Sequence, residues 1–184
     1  MILNLPLLGN RDYVNGATIF DAIVEYVTPS FPFTVRFNSL IHGAVEIAPI
    51  RNDKTANGLL TFSSNGEAKK YGLFEAPSTR IERVPYDEAP IFASCRVESD
   101  KVLSRSDGVS TISRFIVMYK ALMKNKFPDA KGKWLFTGAT VTAWPASGDE
   151  LCLQFAGASG TRIVRARALI DGREVSQILF SLTV

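Results

Sequence analysis

The sequence predicts an α+β domain in which a curved antiparallel sheet wraps one buried helix, and three observations carry that prediction. The first is the stretch 108–126, where Val109, Ile112, Phe115, Ile116, Tyr119, Leu122 and Met123 fall at the i, i+3, i+4 spacing of one wide apolar face. The second is that Val117 and Met118 carry apolar surface to the opposite side, so that Phe115 to Tyr119 reads as buried almost all round. The third is a series of strand-like runs C-terminal to that helix, Trp134 to Trp144, Glu150 to Ala156 and Thr161 to Ile170, then an Asp171-Gly172 turn into Arg173 to Thr183.

In chain order, the first element is an amphipathic helix from about Gly16 to Val27, with Ile19, Phe20, Ile23, Val24 and Val27 on one face. Asn15 is its N-cap, because its side-chain oxygen can accept from a free first-turn amide, and Pro29 stops it. Extended runs Phe33 to Ile41 and Ala44 to Ile50 flank His42-Gly43. Asn57-Gly58 leads into Leu59 to Ser64, and Asn65-Gly66 supplies the left-handed backbone of a tight hairpin before Lys69 to Glu75. Pro77, Pro85 and Pro90 make 76–90 a loop or edge segment. Ile91, Ala93, Cys95 and Val97 alternate as one face of a strand that delivers the chain to the helix at 108–126. The chain reads as one domain, with a helix and strands over 1–90 and the central helix and meander over 91–184. The alternative is an internal duplication, since each helix precedes a meander and Gly43-Ala44-Val45-Glu46-Ile47 echoes Gly148-Asp149-Glu150-Leu151-Cys152.

Length and composition narrow the function. A chain of 184 residues holds one substantial core and is short for two complete domains. Its 46% hydrophobic and 21% charged content excludes disorder. The net charge of +3, without a Lys/Arg stripe interleaved with aromatics, excludes a nucleic-acid binder. The apolar N-terminal run is broken by Asn4 and Pro6 and lacks a basic leader, and no segment is long enough to span a bilayer. Cys95 and Cys152 have neither metal spacing nor the density of a disulfide scaffold, which points to a reducing cytoplasm. No Gly-x-Ser-x-Gly elbow, Cys-x-x-Cys pair, His-Glu-x-x-His helix or P-loop lysine is present, so a site free of metal and cofactor is expected. Gly157-Ala158-Ser159-Gly160 reads as a hairpin turn.

The layout of 106–184 resembles the hot-dog fold, most specifically in Phe136-Thr137-Gly138-Ala139-Thr140-Val141, Ser147-Gly148-Asp149-Glu150-Leu151 and Ala168-Leu169-Ile170-Asp171-Gly172-Arg173-Glu174-Val175. Acyl-ACP dehydratases and acyl-CoA thioesterases of that superfamily carry similar strand, Gly-Asp turn, strand, Asp-Gly hairpin patterns, and the N-terminal extension resembles that of the long-chain fatty acyl-CoA thioesterase family known from mycobacteria. The resemblance implies an acyl-thioester hydrolase or binding protein, acting on acyl-CoA or an acyl carrier protein in lipid or polyketide metabolism and assembled as a homodimer. The duplicated alternative becomes a compact double hot dog.

Site residues derive partly from that resemblance. Dehydratases of the fold place a histidine on the loop into the central helix, whereas Leu103 to Val109 contains none. Thioesterases often use a carboxylate near a helix N-terminus, a role that falls to Asp107, with Gly108 and Ser110 supplying amides or hydroxyl and Thr111 a further hydrogen bond. Asp12 and Asn15 form a second group, because Asp12-Tyr13-Val14-Asn15-Gly16 resembles the segment ahead of the helix in some hot-dog thioesterases, with Tyr13 where a histidine would stand. His42, the only histidine, is the candidate base of a dehydratase- or isomerase-like alternative. Phe115 and Tyr119 would line an acyl tunnel. Arg165 and Arg167, on one face of a strand, would meet coenzyme A phosphates. A non-catalytic acyl-chain binding or assembly protein is the remaining alternative.

Overall fold

Asn65 and Gly66 adopt φ of 53° and 80°, and Asp171 and Gly172 φ of 48° and 76°, so both short-turn motifs make the left-handed corners that their residue types favour. These corners set the hairpins over 58–76 and 163–183 in a computed structural model that describes residues 1–184 except 53, 79–81, 106–107, 146–147, 161 and 184. The chain divides into two compact units, Met1–Asp87 and Glu88–Val184.

The first unit opens with the short strands β1 (Ile2–Leu3) and β2 (Leu7–Leu8). Helix α1 (Gly16–Ala22) comes next, capped by Asn15, whose Oδ1 accepts from the Ala17 amide at 2.9 Å. The expected run to Val27 is helical, but its second half, Ile23–Val27, widens into a π turn that ends at Thr28 in the left-handed region. Ile19, Phe20 and Ile23 are buried, and the Phe20 ring lies 5.9 Å from that of Phe33. The remaining long strands of this unit are β3 (Phe33–Phe37), β4 (Ala44–Pro49), β5 (Gly58–Ser64) and β6 (Glu67–Ala76). With β1 they form an antiparallel sheet in the order β1-β4-β6-β5-β3. Between β6 and Asp87, the described residues of the proline-rich segment contribute one strand, β7 (Arg83–Val84), parallel to β2.

The second unit begins with a correction. Residues Ile91 to Val97 are not a strand: Ala89–Ala93 form helix α2, with Pro90 in its first turn, and β8 is confined to Arg96–Glu98. Proline suits a helix start because its missing N–H has no partner there in any case, and only Ile91 of the alternating set is buried. Strand β9 (Lys101–Arg105) leads to helix α3 (Thr111–Lys126). The helix starts later than expected. Gly108 lies before it with φ of +83°, and Ser110 is the cap, its hydroxyl accepting from the Ser113 amide at 3.3 Å. Every residue from Ile112 to Tyr119 is buried, as are Ala121, Leu122 and Met123, so α3 is a core helix.

Strands β10 (Lys133–Val141), β11 (Glu150–Ser159), β12 (Ile163–Ile170) and β13 (Arg173–Thr183) complete the unit in the order β10-β13-β12-β11-β9-β8. The register sets Val102, Leu153, Ala168, Ser176 and Val141 in one buried row across the strands. Irregularities at Phe136/Gly138, Phe155/Gly157 and Ala168/Leu169 each add an extra residue, which bends the sheet. Gly157 to Ser159 therefore belong to β11 rather than to a hairpin turn.

Candidate functional site

The polar group with the most defined geometry lies in the first unit, where the chain approaches α1. The Val14 amide donates to the Ile41 carbonyl at 2.8 Å, which brings the segment after β3 against residues 12–14. His42 consequently places its Nδ1 2.8 Å from the Asp12 backbone carbonyl. A carbonyl only accepts, so this nitrogen carries the hydrogen, and in the neutral ring Nε2 keeps its lone pair. The Asp12 carboxylate stands 3.9 Å from the same nitrogen, near enough to attract the charge of an imidazolium, and the Tyr13 ring meets the imidazole edge-on at 6.5 Å.

The backbone around His42 is fixed from several sides. Its amide donates to Glu75 Oε2 at 2.9 Å. Asn57 donates to Ser39 Oγ and the Leu40 carbonyl at 2.8 and 3.1 Å, while its own Oδ1 accepts from the Glu75 amide at 3.0 Å. A Cβ on Gly43 would stand 2.4 Å from the Ala76 carbonyl, so only glycine lets the loop lie this close to β6. The His42 side chain is 49% exposed and therefore open to an incoming molecule. A fixed tautomer on a half-exposed imidazole is an arrangement that suits a general base.

In the second unit the approach to α3 carries Gly108, Ser110 and Thr111, with Ser110 acting as the cap described above. Asp107 lies outside the described residues. What sequence reasoning missed here is Arg114, which is completely buried within the first turns of α3. Its Nη1 donates to Ser104 Oγ at 2.6 Å and Ser94 Oγ at 2.9 Å, joining α3 to β9 and to the end of α2. The available signal was a charged residue between Ile112 and Phe115, in the middle of an apolar run. Burial pushes the Cys95 thiol up, and the Arg114 charge offsets part of that rise. Further along the same helix, Lys120 donates to both Glu88 carboxylate oxygens, at 2.6 and 2.7 Å.

Phe115 and Tyr119 are fully buried. The Phe115 ring meets Trp144 edge-on, while Tyr119 stacks on Phe180 and takes the edge of Trp134. Arg165 and Arg167 share the face of β12 opposite to buried Val164, Ala166 and Ala168. Arg165 is exposed, and Arg167 donates to Gln154 at 2.8 Å with Glu174 3.9 Å away. The structure thus brings Asp12, Asn15 and His42 together around α1, Gly108, Ser110 and Thr111 together ahead of α3, and sets the arginines on an outer sheet face. Among the described residues no group of His, Cys, Asp and Glu gathers as metal ligands. No described helix is long and apolar enough to cross a membrane.

Neither a protein-family model nor a curated protein matches the sequence. Solved structures do. A monomeric dehydratase domain from a trans AT polyketide synthase split module superposes with a TM-score of 0.51 at 12% identity, over 100% of this chain and 97% of that one. The dehydratase domain of PpsC from Mycobacterium tuberculosis, in complex with C12:1-CoA, gives 0.50 at 7% identity over 93% and 85%. The chain has the hot-dog fold. The tesB protein of Mycobacterium avium subspecies paratuberculosis also matches, with a TM-score of 0.50 at 10% identity over 100% and 92%. Hot-dog neighbours on both the dehydratase and the thioesterase side therefore share this arrangement of helix and antiparallel sheet.

Proposed function

We propose that this hot-dog protein acts on an acyl thioester carried by coenzyme A or an acyl carrier protein, with His42 moving the proton. One observation carries the reading: the only imidazole of the chain is held through Nδ1 by the Asp12 carbonyl, with its side chain half exposed, beside the approach to α1. The acyl-CoA bound to the PpsC domain supports the substrate class.

Hydrolysis is the leading chemistry. Nε2 takes a proton from water as the water oxygen bonds to the thioester carbon, the C–S bond then breaks, and the imidazolium returns the proton to the departing thiolate. The Asp12 carboxylate attracts the imidazolium charge between those steps. A separate candidate site, within the second unit, takes Asp107 as its carboxylate, with Gly108, Ser110 and Thr111 offering amides and hydroxyls to a thioester carbonyl oxygen there. A second reading, dehydration of a 3-hydroxyacyl thioester, uses the same imidazole to take the proton next to the carbonyl. The C–O bond at the 3-hydroxyl then breaks as the double bond forms, and the imidazolium returns the proton to the departing hydroxyl, which leaves as water. The dehydratase domains among the neighbours favour this reading. No cofactor enters either reaction. The two free thiols suit a reducing cytoplasm, and a homodimer is the proposed assembly.

The test uses acyl-CoAs of graded length, with and without a 3-hydroxyl, while monitoring free thiol and the conjugated enoyl product. His42→Gln is expected to lower turnover by about 10²- to 10⁴-fold, the usual contribution of a positioned base, with little change in Tm because the side chain is half exposed. An unchanged rate removes His42 from the chemistry and moves attention to Asp107→Asn. Thiol release identifies the hydrolase, and enoyl absorbance the dehydratase. Binding without either product would leave a non-catalytic acyl-chain protein.

A further inference from the structure

The corner between α3 and β10 combines charge and aromatic surface that the fold does not use. Over 124–134 the chain carries Lys124, Lys126, Lys131 and Lys133 against a single carboxylate, Asp129. Asp100 takes the Lys126 charge, whereas Lys124, Lys131 and Lys133 stand exposed. Beside them lie three half-buried rings: Phe127 is 6.1 Å from Trp134 and 6.5 Å from Phe155, and the Lys126 ammonium sits 5.1 Å over the Phe155 ring. The corner is fixed to the sheet. The Thr183 hydroxyl donates to the Lys133 carbonyl at 3.0 Å. A Cβ on Gly132, whose φ is +124°, would stand 2.0 Å from the Thr183 carbonyl oxygen, so glycine alone lets the corner lie this close to β13.

The choice of cation narrows the partner. Carboxylates of a protein partner are best matched by the flat fork of arginine, and lysine is depleted at protein interfaces relative to the rest of the surface. Flexible, strongly hydrated ammonium groups suit a diffuse layer of negative charge instead. The rings are engaged with one another and with the Lys126 ammonium rather than free to stack on bases, so a nucleic acid would gain charge contacts alone. An indole beside a lysine cluster matches the headgroup level of a bilayer, where the ring meets the edge of the acyl region and the ammonium groups meet anionic headgroups.

We propose that this corner docks the protein on an anionic lipid bilayer, with the lysines among the headgroups and Phe127 and Trp134 at their level. The contact is peripheral, lies within the second unit and does not depend on the acyl-thioester reading. Each lysine near such a surface strengthens the attraction about fivefold, so the cluster gives a reversible attachment that salt weakens.

The experiment sediments the full chain with phosphatidylcholine vesicles, with and without about 30% phosphatidylserine, and follows Trp134 emission in Trp144→Phe, which leaves one tryptophan. Vesicles with phosphatidylserine are expected to pull the protein down and shift the emission to the blue, and plain ones to do neither. Lys131→Gln with Lys133→Gln should weaken binding about 25-fold at unchanged Tm, since both side chains are exposed. Lys69→Gln with Lys70→Gln removes the same charge from β6, in the first unit, and should bind as wild type. Equal loss in the two double variants would assign the effect to net charge, and binding to polyglutamate as tight as to vesicles would assign the corner to an acidic protein. Either result overturns the proposal, as does failure to sediment or sedimentation without an emission shift.

Discussion

Glu46 shows how one residue couples charge to the fold. Its carboxylate accepts from Arg51 at 2.8 Å and Lys54 at 3.5 Å, and both cations also lie 5.2 Å from the Phe74 ring centroid. Desolvation alone would raise the Glu46 pKa, but Arg51 and Lys54 outweigh it and hold the group below the usual carboxylate range. A depressed folded-state pKa means that the unfolded chain binds the proton more readily. The stabilisation is therefore complete above the ordinary glutamate value and is lost as pH falls through the folded one. Wild type should melt above Glu46→Gln at neutral pH, and thermal melts across an acid series should see the gap close; a gap independent of pH would show that packing, not charge, is what Glu46 contributes. At this scale the sequence was readable wherever a residue acts on near neighbours, as Asn15 does on Ala17. It was silent on Glu75 and Asn57, whose contacts with His42 and Leu40 span 33 and 17 positions and exist only after the sheet has formed.

Among the elements, α3 is the one whose burial the apolar pattern foretold, and its energetics are testable. Phe115 is completely enclosed and touches Trp144, so Phe115→Ala should cost about 3–5 kcal/mol in chemical denaturation, the range for emptying a large aromatic from a core. The amides of α3 should be among the slowest to exchange with deuterium, since exposing them requires near-global opening. A cost under about 1 kcal/mol, or fast exchange over Thr111–Lys126, would contradict the core assignment. The elements that sequence reasoning misplaced have local causes. Alternation at Ile91 to Val97 imitated a strand, but Pro90 favours a helix start, and Asp107-Gly108 drew attention from Ser110, the residue whose hydroxyl reaches the first-turn amide. The faint internal echo has a counterpart in space. Gly43 and Gly148 each precede the second strand after a helix, β4 or β11, and a Cβ on either would strike the neighbouring strand, at Ala76 or Ile170. The likeness stops at the middle of the sheets, where β5 and β6 lie in the reverse order to β12 and β13.

For the whole molecule the open question is how many chains make the working particle. Each unit's sheet ends in a short strand with exposed apolar side chains: Ile2 on β1 is 61% exposed, and Val97 on β8 is 39% exposed. Terminal strands of this kind present unpaired amides and carbonyls beside apolar surface, and soluble proteins usually protect such edges with charge or cover them. Neither Ile2 nor Val97 supplies that protection. Pairing with a second copy would, and a two-fold arrangement lets the same patch on each chain serve both sides of the contact. Light scattering at micromolar concentration should accordingly give twice the mass of one chain. Val97→Lys, which puts a charge on the β8 edge without altering the buried core, should return the particle to a single chain while leaving its Tm at low concentration nearly unchanged. If Ile2→Lys dissociates it instead, the contact lies at β1. A wild-type particle with the mass of one chain would rule out the homodimer and favour the internal duplication, in which one chain supplies both helix-and-sheet units.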